Sequence, residues 1–178
     1  CTSTVVVEDN VAPQALCEDV MVQLDAFGNG ALSTALVDGG SGDACGISSL
    51  SLSQTSFDCS DVGSQNVELT VTDLHGNSST CTSTVTVEDN IAPEALCEDV
   101  TVQLDASGNG ALSAAQVDGG SGDACSLSGL SLDQTSFGCS DVGSQTVTLT
   151  VTDLHGNSSS CTSTVVVEDN VAPQALCE

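Results

Sequence analysis

The sequence predicts an all-β chain of tandem immunoglobulin-like β-sandwich domains with an 80-residue repeat, on three observations. The segment CTSTVVVEDNVAPQALCE at 1–18 returns as CTSTVTVEDNIAPEALCE from residue 81 and, unchanged, from residue 161; residues 1–80 and 81–160 differ at 15 positions and agree at 65. A fixed period of this kind marks an array of like units built by duplication. Within each period the apolar residues fall in short runs rich in Val, Thr and Leu, largely alternating with polar ones, which is the spacing of strands with one buried face. Clusters of Gly, Asp, Asn and Ser divide the runs at intervals that suit a sandwich.

Taken in order, the first period opens with CTSTVVVED and the linker EDNVAP, whose Pro13 sets the chain's exit direction. The runs ALCEDVMVQL (15–24), ALSTALV (31–37), ISSLSLS (47–53), QNVELTVT (65–72) and SSTCTSTVTVE (78–88) all read as strands, and none as a helix. Between them stand the turn signals DAFGNG at 25–30, DGGSGDA at 38–44, SDVGS at 60–64 and DLHGN at 73–77. This spacing predicts four segments: 1–12 as the last strand and linker of a preceding repeat, 13–90 as repeat 1, 91–170 as repeat 2, and 171–178 as the first strand of a following repeat.

Composition narrows the function. The 178 residues include no Lys and no Arg, 25 Asp plus Glu and 2 His, for a formal charge of −25. Nucleic acid is excluded as a partner, because phosphate neutralisation needs Lys or Arg, and an anionic membrane surface is repelled by the same field. The cations such a chain recruits are metals. Aromatics are only 2% of residues, so the cores must be small and aliphatic. Small cores need staples, and ten Cys are available. Disulfides persist in oxidising compartments, which places the chain outside the cell or on its surface. No apolar run is long enough to span a bilayer, so direct membrane insertion is not expected. No G-x-S-x-G or other nucleophile set is present, so the chain is not read as an enzyme.

Four features together resemble the hyalin repeat and its relatives in secreted and cell-surface adhesins, particularly the tandem bacterial ones. They are Cys17 in the first strand, Phe57 shortly before Val62-Gly63, the strand VELTVTD leading into Gly76-Asn77, and Cys81 opening the final VTVED strand. The likeness spans the whole repeat and implies an adhesion or structural module without enzymatic activity.

Each domain as delimited holds four Cys, which allow three pairings. The first choice joins Cys17 to Cys81, first strand to last, and Cys45 to Cys59, which bracket a strand and its return; repeat 2 follows with Cys97 to Cys161 and Cys125 to Cys139. On that scheme Cys1 and Cys177 pair outside these repeats. A metal-thiolate site is the competing reading, but no CxxC occurs and the spacings fit no zinc pattern.

The carboxylates gather in the turns and the linker. If strands alternate in direction, the loops after the second and fourth strands return to the linker's end. Glu8, Asp9 and Asn10 should then meet Asp38 and Asp43 from one loop and Asp73 and Asn77 from the other. The equivalents are Glu88, Asp89 and Asn90 with Asp118, Asp123, Asp153 and Asn157. Ca2+ takes six to eight oxygens from such groups, so it is the expected cofactor. The linker EDNVAP also resembles the D-x-N-x-P linkers of cadherins, where calcium stiffens the joint. His75 and His155 sit in the LHGN turn and read as exposed turn residues in preference to transition-metal ligands.

The expectation is a calcium-stiffened, disulfide-stapled rod, stalk or filament. Its partners would be neighbouring repeats of the same array, with lateral self-association into a fibre as a further step. The alternative is an adhesin module that binds glycan or protein ligands through its loops.

Overall fold

The structure, a computed structural model, describes residues 1–176. The strand expected over 171–178 therefore runs partly into residues outside the described ones, as does Cys177. By its internal contacts the chain divides into two compact units, Cys1–Asn90 and Ile91–Glu178.

The first unit contains β1 (Val20–Gln23), β2 (Gly30–Ala31), a single helical turn α1 (Thr34–Val37), β3 (Ile47–Leu52), β4 (Ser56–Phe57), a 3-10 turn at Cys59–Asp61, β5 (Gly63–Asp73) and β6 (Ser78–Glu88). Four strands form one sheet in the order β1-β6-β5-β3, and β2 pairs with β4 as a two-stranded ribbon. Within the sheet β5 runs antiparallel to β6 and to β3, whereas β1 runs parallel to β6 with Val20 opposite Val85.

The second unit repeats this arrangement with β7 (Val100–Gln103), β8 (Asn109–Ala111), α2 (Ala114–Val117), β9 (Leu127–Leu132), β10 (Ser136–Gly138), a 3-10 turn at Cys139–Asp141, β11 (Gly143–Asp153) and β12 (Ser158–Glu168). Its sheet order is β7-β12-β11-β9, and its ribbon pairs β10 with β8.

Strand alternation fixes which side chains form the core. Along β5, Val67, Leu69 and Val71 are fully buried while their neighbours face outward, as a period of two requires. In the second unit Val147, Leu149, Val151, Val165 and Val167 from the sheet join Leu112 and Phe137 from the ribbon side in one apolar cluster. That shared cluster makes each unit a sandwich, all-β and immunoglobulin-like as the sequence predicts. Close packing leaves little slack: a Cβ on Gly30 would stand 2.7 Å from a Val22 methyl, so the ribbon lies against β1 only because that position has no side chain.

The run ALSTALV is not a strand. Leu32 and Val37 are both buried but five residues apart, an odd spacing that would send them to opposite faces of a strand. The chain instead makes one helical turn, closed by the Asp38 amide donating to the Thr34 carbonyl at 2.9 Å, and so returns Val37 to the core. ALCEDVMVQL is likewise only partly strand: Gln14 and Cys17 make single bridges to Gly42 and Asp38, and β1 begins only at Val20.

The start of the sheet is tied down by polar contacts. Ser83, fully buried in β6, donates its hydroxyl to the Glu18 carbonyl at 2.7 Å. One residue on, the Thr84 amide donates to the Asp19 carboxylate at 2.7 Å. These two bonds set the parallel register that places Val20 beside Val85.

Candidate metal centre

The end of the first unit at which β5 turns into β6 is built around Asp73. A hairpin turn must satisfy its own amides, and a short acceptor side chain at its start does this locally. The Asp73 carboxylate accepts from the amides of His75 at 2.8 Å and Asn77 at 2.9 Å, and from Asn77 Nδ2 at 2.7 Å. Gly76, at φ 91°, supplies the left-handed residue that closes the turn. Asp73 is only 2% exposed. Burial alone would raise its pKa, but the bonds from Asn77, His75 and Gly76 outweigh it and hold the carboxyl below its ordinary value.

Two further segments reach the same end. The loop before β3 brings Asp43, whose Oδ1 accepts from the Cys45 amide at 2.7 Å, and the Leu74 amide donates to the Gly46 carbonyl at 3.2 Å, joining this loop to the hairpin. The segment before Pro13 brings Asp9: Asn77 Nδ2 donates to the Asp9 carbonyl at 3.1 Å, and Ser79 donates its hydroxyl to the Pro13 carbonyl. Asp9 Oδ1 accepts from the Val11 amide at 3.1 Å.

Asp9, Asp43 and Asp73 each place a carboxylate oxygen within 4.8 Å of the other two. A cation bound at the usual Ca–O distance of about 2.3–2.6 Å can touch two oxygens only if they lie within roughly twice that distance, and this spacing qualifies. Asp9 Oδ2 is buried and no amide or hydroxyl donates to it; its nearest charged neighbour is His75 Nδ1, 3.3 Å away. A buried carboxylate oxygen is costly to leave uncovered, and a chain with no Lys or Arg offers it only the half-exposed His75 imidazole. The donor set fits a hard divalent cation.

Of the other expected ligands, Asp38, Glu8 and Glu88 stand apart from this set. The Asp38 carboxylate is engaged by the Ser41 amide at 2.8 Å; hydrogen bonds from the Ser41 side chain and amide hold its pKa low, and it is not among the three convergent carboxylates. Glu8 is also outside that set. At the far end of β1 and β6, Glu88 accepts from Gln23 Nε2 at 2.7 Å, and Asn90 donates to Gln23 Oε1 at 2.7 Å. In the second unit Asp118 accepts from the Ser121 amide at 2.9 Å, Asp123 from the Cys125 amide at 2.7 Å, and Asp153 from the amides of His155 and Asn157 at 2.8 Å each. Asp89 follows directly on β6.

Disulfides join Cys17 to Cys81 and Cys97 to Cys161, each with Cα atoms 5.8 Å apart. The expected bridges Cys45–Cys59 and Cys125–Cys139 are not formed: Cys45 and Cys139 are free thiols. The reason is strand length. Cys45 precedes β3 at the Asp73 end, since Ile47 pairs with Asp73, whereas Cys59 lies beyond it, its sulfur 4.0 Å from the Gly28 carbonyl in the turn after β1. Six residues of β3 advance the chain by about 20 Å, and the two-residue β4 does not bring it back. A disulfide needs Cα atoms within about 7 Å. In the second unit Cys139 similarly sits 3.9 Å from the Gly108 carbonyl, across β9 from Cys125.

Freed from that bridge, Cys45 belongs to the acidic end. The nearby Asp9 carboxylate, first as an acceptor that holds the proton on sulfur and then by its charge, pushes the Cys45 thiol above its ordinary pKa, and burial, Asp43 and Asp73 add to the shift. Neither Cys45 nor His75 is among the ligands expected from the sequence. The spacing of the first reads as a half-cystine and the LHGN setting of the second as an exposed turn residue; the one signal in the sequence is that both flank the acidic loops.

No protein-family model and no curated protein sequence matches the chain. Among solved structures it is similar to extracellular cadherin domains 1–2 of human protocadherin-24, at 13% identity over 90% of this chain and 100% of that one, with a TM-score of 0.46. It is also similar to domains 1–2 of human mucin-like protocadherin, at 14% identity over 85% and 96% of the two chains, with a TM-score of 0.42. A third likeness is to extracellular cadherin domains 1–4 of protocadherin gamma B7, at 16% identity and a TM-score of 0.40; there the match covers 90% of this chain, which spans about half of the other, 52%.

Proposed function

We propose that the chain is an extracellular structural repeat protein whose domain junctions bind calcium, so that an array of its disulfide-stapled units forms a stiff rod, stalk or filament. What carries the reading is Asp9: it sits in the linker motif, converges with Asp43 and Asp73, and has a buried carboxylate oxygen to which no amide or hydroxyl donates. The 80-residue period puts Asp89, Asp123 and Asp153 at the equivalent positions. Calcium at such a set neutralises charges that otherwise repel and fixes a linker residue to two loops of the following domain. Its role is mechanical and not enzymatic, and neighbouring repeats are its first partners. Lateral association into a fibre is a further step that calcium bridging between acidic surfaces supports.

The test is a calcium titration of the 178-residue chain, following heat uptake, melting temperature and small-angle scattering, with reversal by chelator. Binding that raises the melting temperature and extends the particle, and that is lost in Asp9→Asn, supports the reading. No response up to millimolar calcium overturns it. Sedimentation with and without calcium separately tests fibre formation, and monomers in both conditions would count against lateral association.

A further inference from the structure

Beside the three carboxylates the structure holds a chemically different group of side chains. Asp9, Cys45 and His75 also each present a ligand atom within 4.8 Å of the other two. His75 Nδ1 lies 3.3 Å from Asp9 Oδ2, the buried oxygen with no hydrogen bond. Cys45 is a free, exposed thiol, and the His75 side chain is 49% exposed, so the group is open to solvent on one side.

We propose that Asp9, Cys45 and His75 form a second cation site in the first unit, selective for a borderline-soft divalent ion such as Zn2+. Thiolate and imidazole are poor ligands for Ca2+ and good ones for zinc, which takes sulfur, nitrogen and carboxylate oxygen together in a tetrahedron. The edge of a tetrahedron is about 1.6 times the metal–ligand bond, so Zn–N and Zn–O bonds of about 2.0–2.1 Å require nitrogen and oxygen roughly 3.3 Å apart. His75 Nδ1 and Asp9 Oδ2 have that separation without any movement. Binding displaces the thiol proton of Cys45 to solvent and forms the zinc–sulfur bond. Three protein ligands leave a fourth position for water or an incoming group. Because Asp9 belongs to both sets, zinc and calcium compete for one linker carboxylate. The inference does not depend on calcium binding, since Cys45 and His75 supply what the carboxylate set lacks.

The experiment uses the full chain and metal ions alone. Titrated with Co2+ as the spectroscopic substitute for zinc, the chain should develop a thiolate-to-cobalt charge-transfer band that zinc abolishes on displacing the cobalt. Cys45→Ser should eliminate the band and weaken Zn2+ binding by more than the roughly 10–100-fold that loss of a merely supporting partner costs. His75→Gln should weaken zinc while keeping the band, and Cys139→Ser should change neither. A cobalt spectrum without a thiolate band, or equal zinc affinity in the wild type and Cys45→Ser, overturns the proposal.

Alkylation gives a second readout: zinc should slow modification of Cys45 by iodoacetamide and leave Cys139 unaffected, and equal rates at Cys45 with and without zinc overturn it. Peptides for this measurement come from a protease that cuts at acidic residues, because the chain has no Lys or Arg for trypsin. Calcium titration of Cys45→Ser separates the two readings. Retained calcium binding with lost zinc binding assigns the ions to different sets, whereas a cobalt band in a chain that ignores calcium removes the calcium reading alone.

Discussion

Asp73 and Asn77 hold each other at both ends of one hairpin turn: the Asn77 amide and side-chain nitrogen donate to the two oxygens of Asp73 at 2.9 and 2.7 Å, while the Asp73 amide donates to the Asn77 carbonyl at 3.0 Å. Asp153 and Asn157 reproduce the pair in the second unit.

A depressed carboxyl pKa makes the pair a pH-dependent element. Asp73 and Asp153 titrate below the ordinary aspartate value of 3.8, so their contribution to stability is complete above that pH and is lost as pH falls through the lower, folded-state value. In chelator, Asp73→Asn should melt several degrees below the wild type at neutral pH, and the gap should close as the solution is acidified below pH 3.8. Melting curves of both proteins across that range check the sign; a gap that stays constant would show that the lost charge is not responsible.

The bond between Cys17 and Cys81 closes a loop with a sequence separation of 64. Loop-closure entropy puts its contribution at about 4 kcal/mol, comparable to the whole net stability of a small domain. Replacing both residues by Ser should leave the first unit largely unfolded at physiological temperature while the second still melts cooperatively. Calorimetry should resolve one transition in place of two.

Ser126 stands where the first unit has Gly46, and it is the only described residue other than glycine with positive φ, at 78° against 99° for Gly46. A side chain in that conformation costs roughly 1 kcal/mol. Ser126→Gly should therefore stabilise the second unit by up to about 1 kcal/mol, despite the usual entropic penalty of glycine. Gly46→Ser should do the reverse in the first unit. Denaturant titrations suffice to compare them.

Gly30 and Gly42 offer a matched pair. A methyl on Gly30 would collide with Val22 at 2.7 Å, whereas one on Gly42 would meet nothing within 4 Å. Gly30→Ala should cost about 1–3 kcal/mol by overpacking, and Gly42→Ala should be near neutral. Equal losses would mean that backbone freedom, not packing, decides both sites.

Much of this was legible in the sequence because period and punctuation are local. The two-residue alternation in QNVELTVT states which side chains of β5 point inward, and DLHGN states where the chain turns. Partners are another matter. Thr4–Asp9 repeats Thr164–Asp169 letter for letter, yet Val5 and Val7 are 79% and 91% exposed where Val165 and Val167 are 0% and 1%. A pattern specifies a face and leaves open what covers it. The same limit explains the cysteines: a spacing of 14 between Cys45 and Cys59 looked like a strand and its return, but the return strand is two residues long. ALSTALV misled because its apolar residues are nearly continuous, and a continuous run does not distinguish a strand from a helical turn.

The disulfide between Cys17 and Cys81 also sets how far a unit can stretch. The chain enters beside β1 and leaves along β6, and these strands are parallel, so tension between the two ends would load their ladder in shear were it not for the Cys17–Cys81 bond, which stands ahead of β1. That bond diverts force around everything from residue 17 to residue 81, removing about 200 Å of contour length from the first unit. Under load the fold can be broken without being paid out as slack, and reduction of one bond would turn a nearly inextensible link into a long tether.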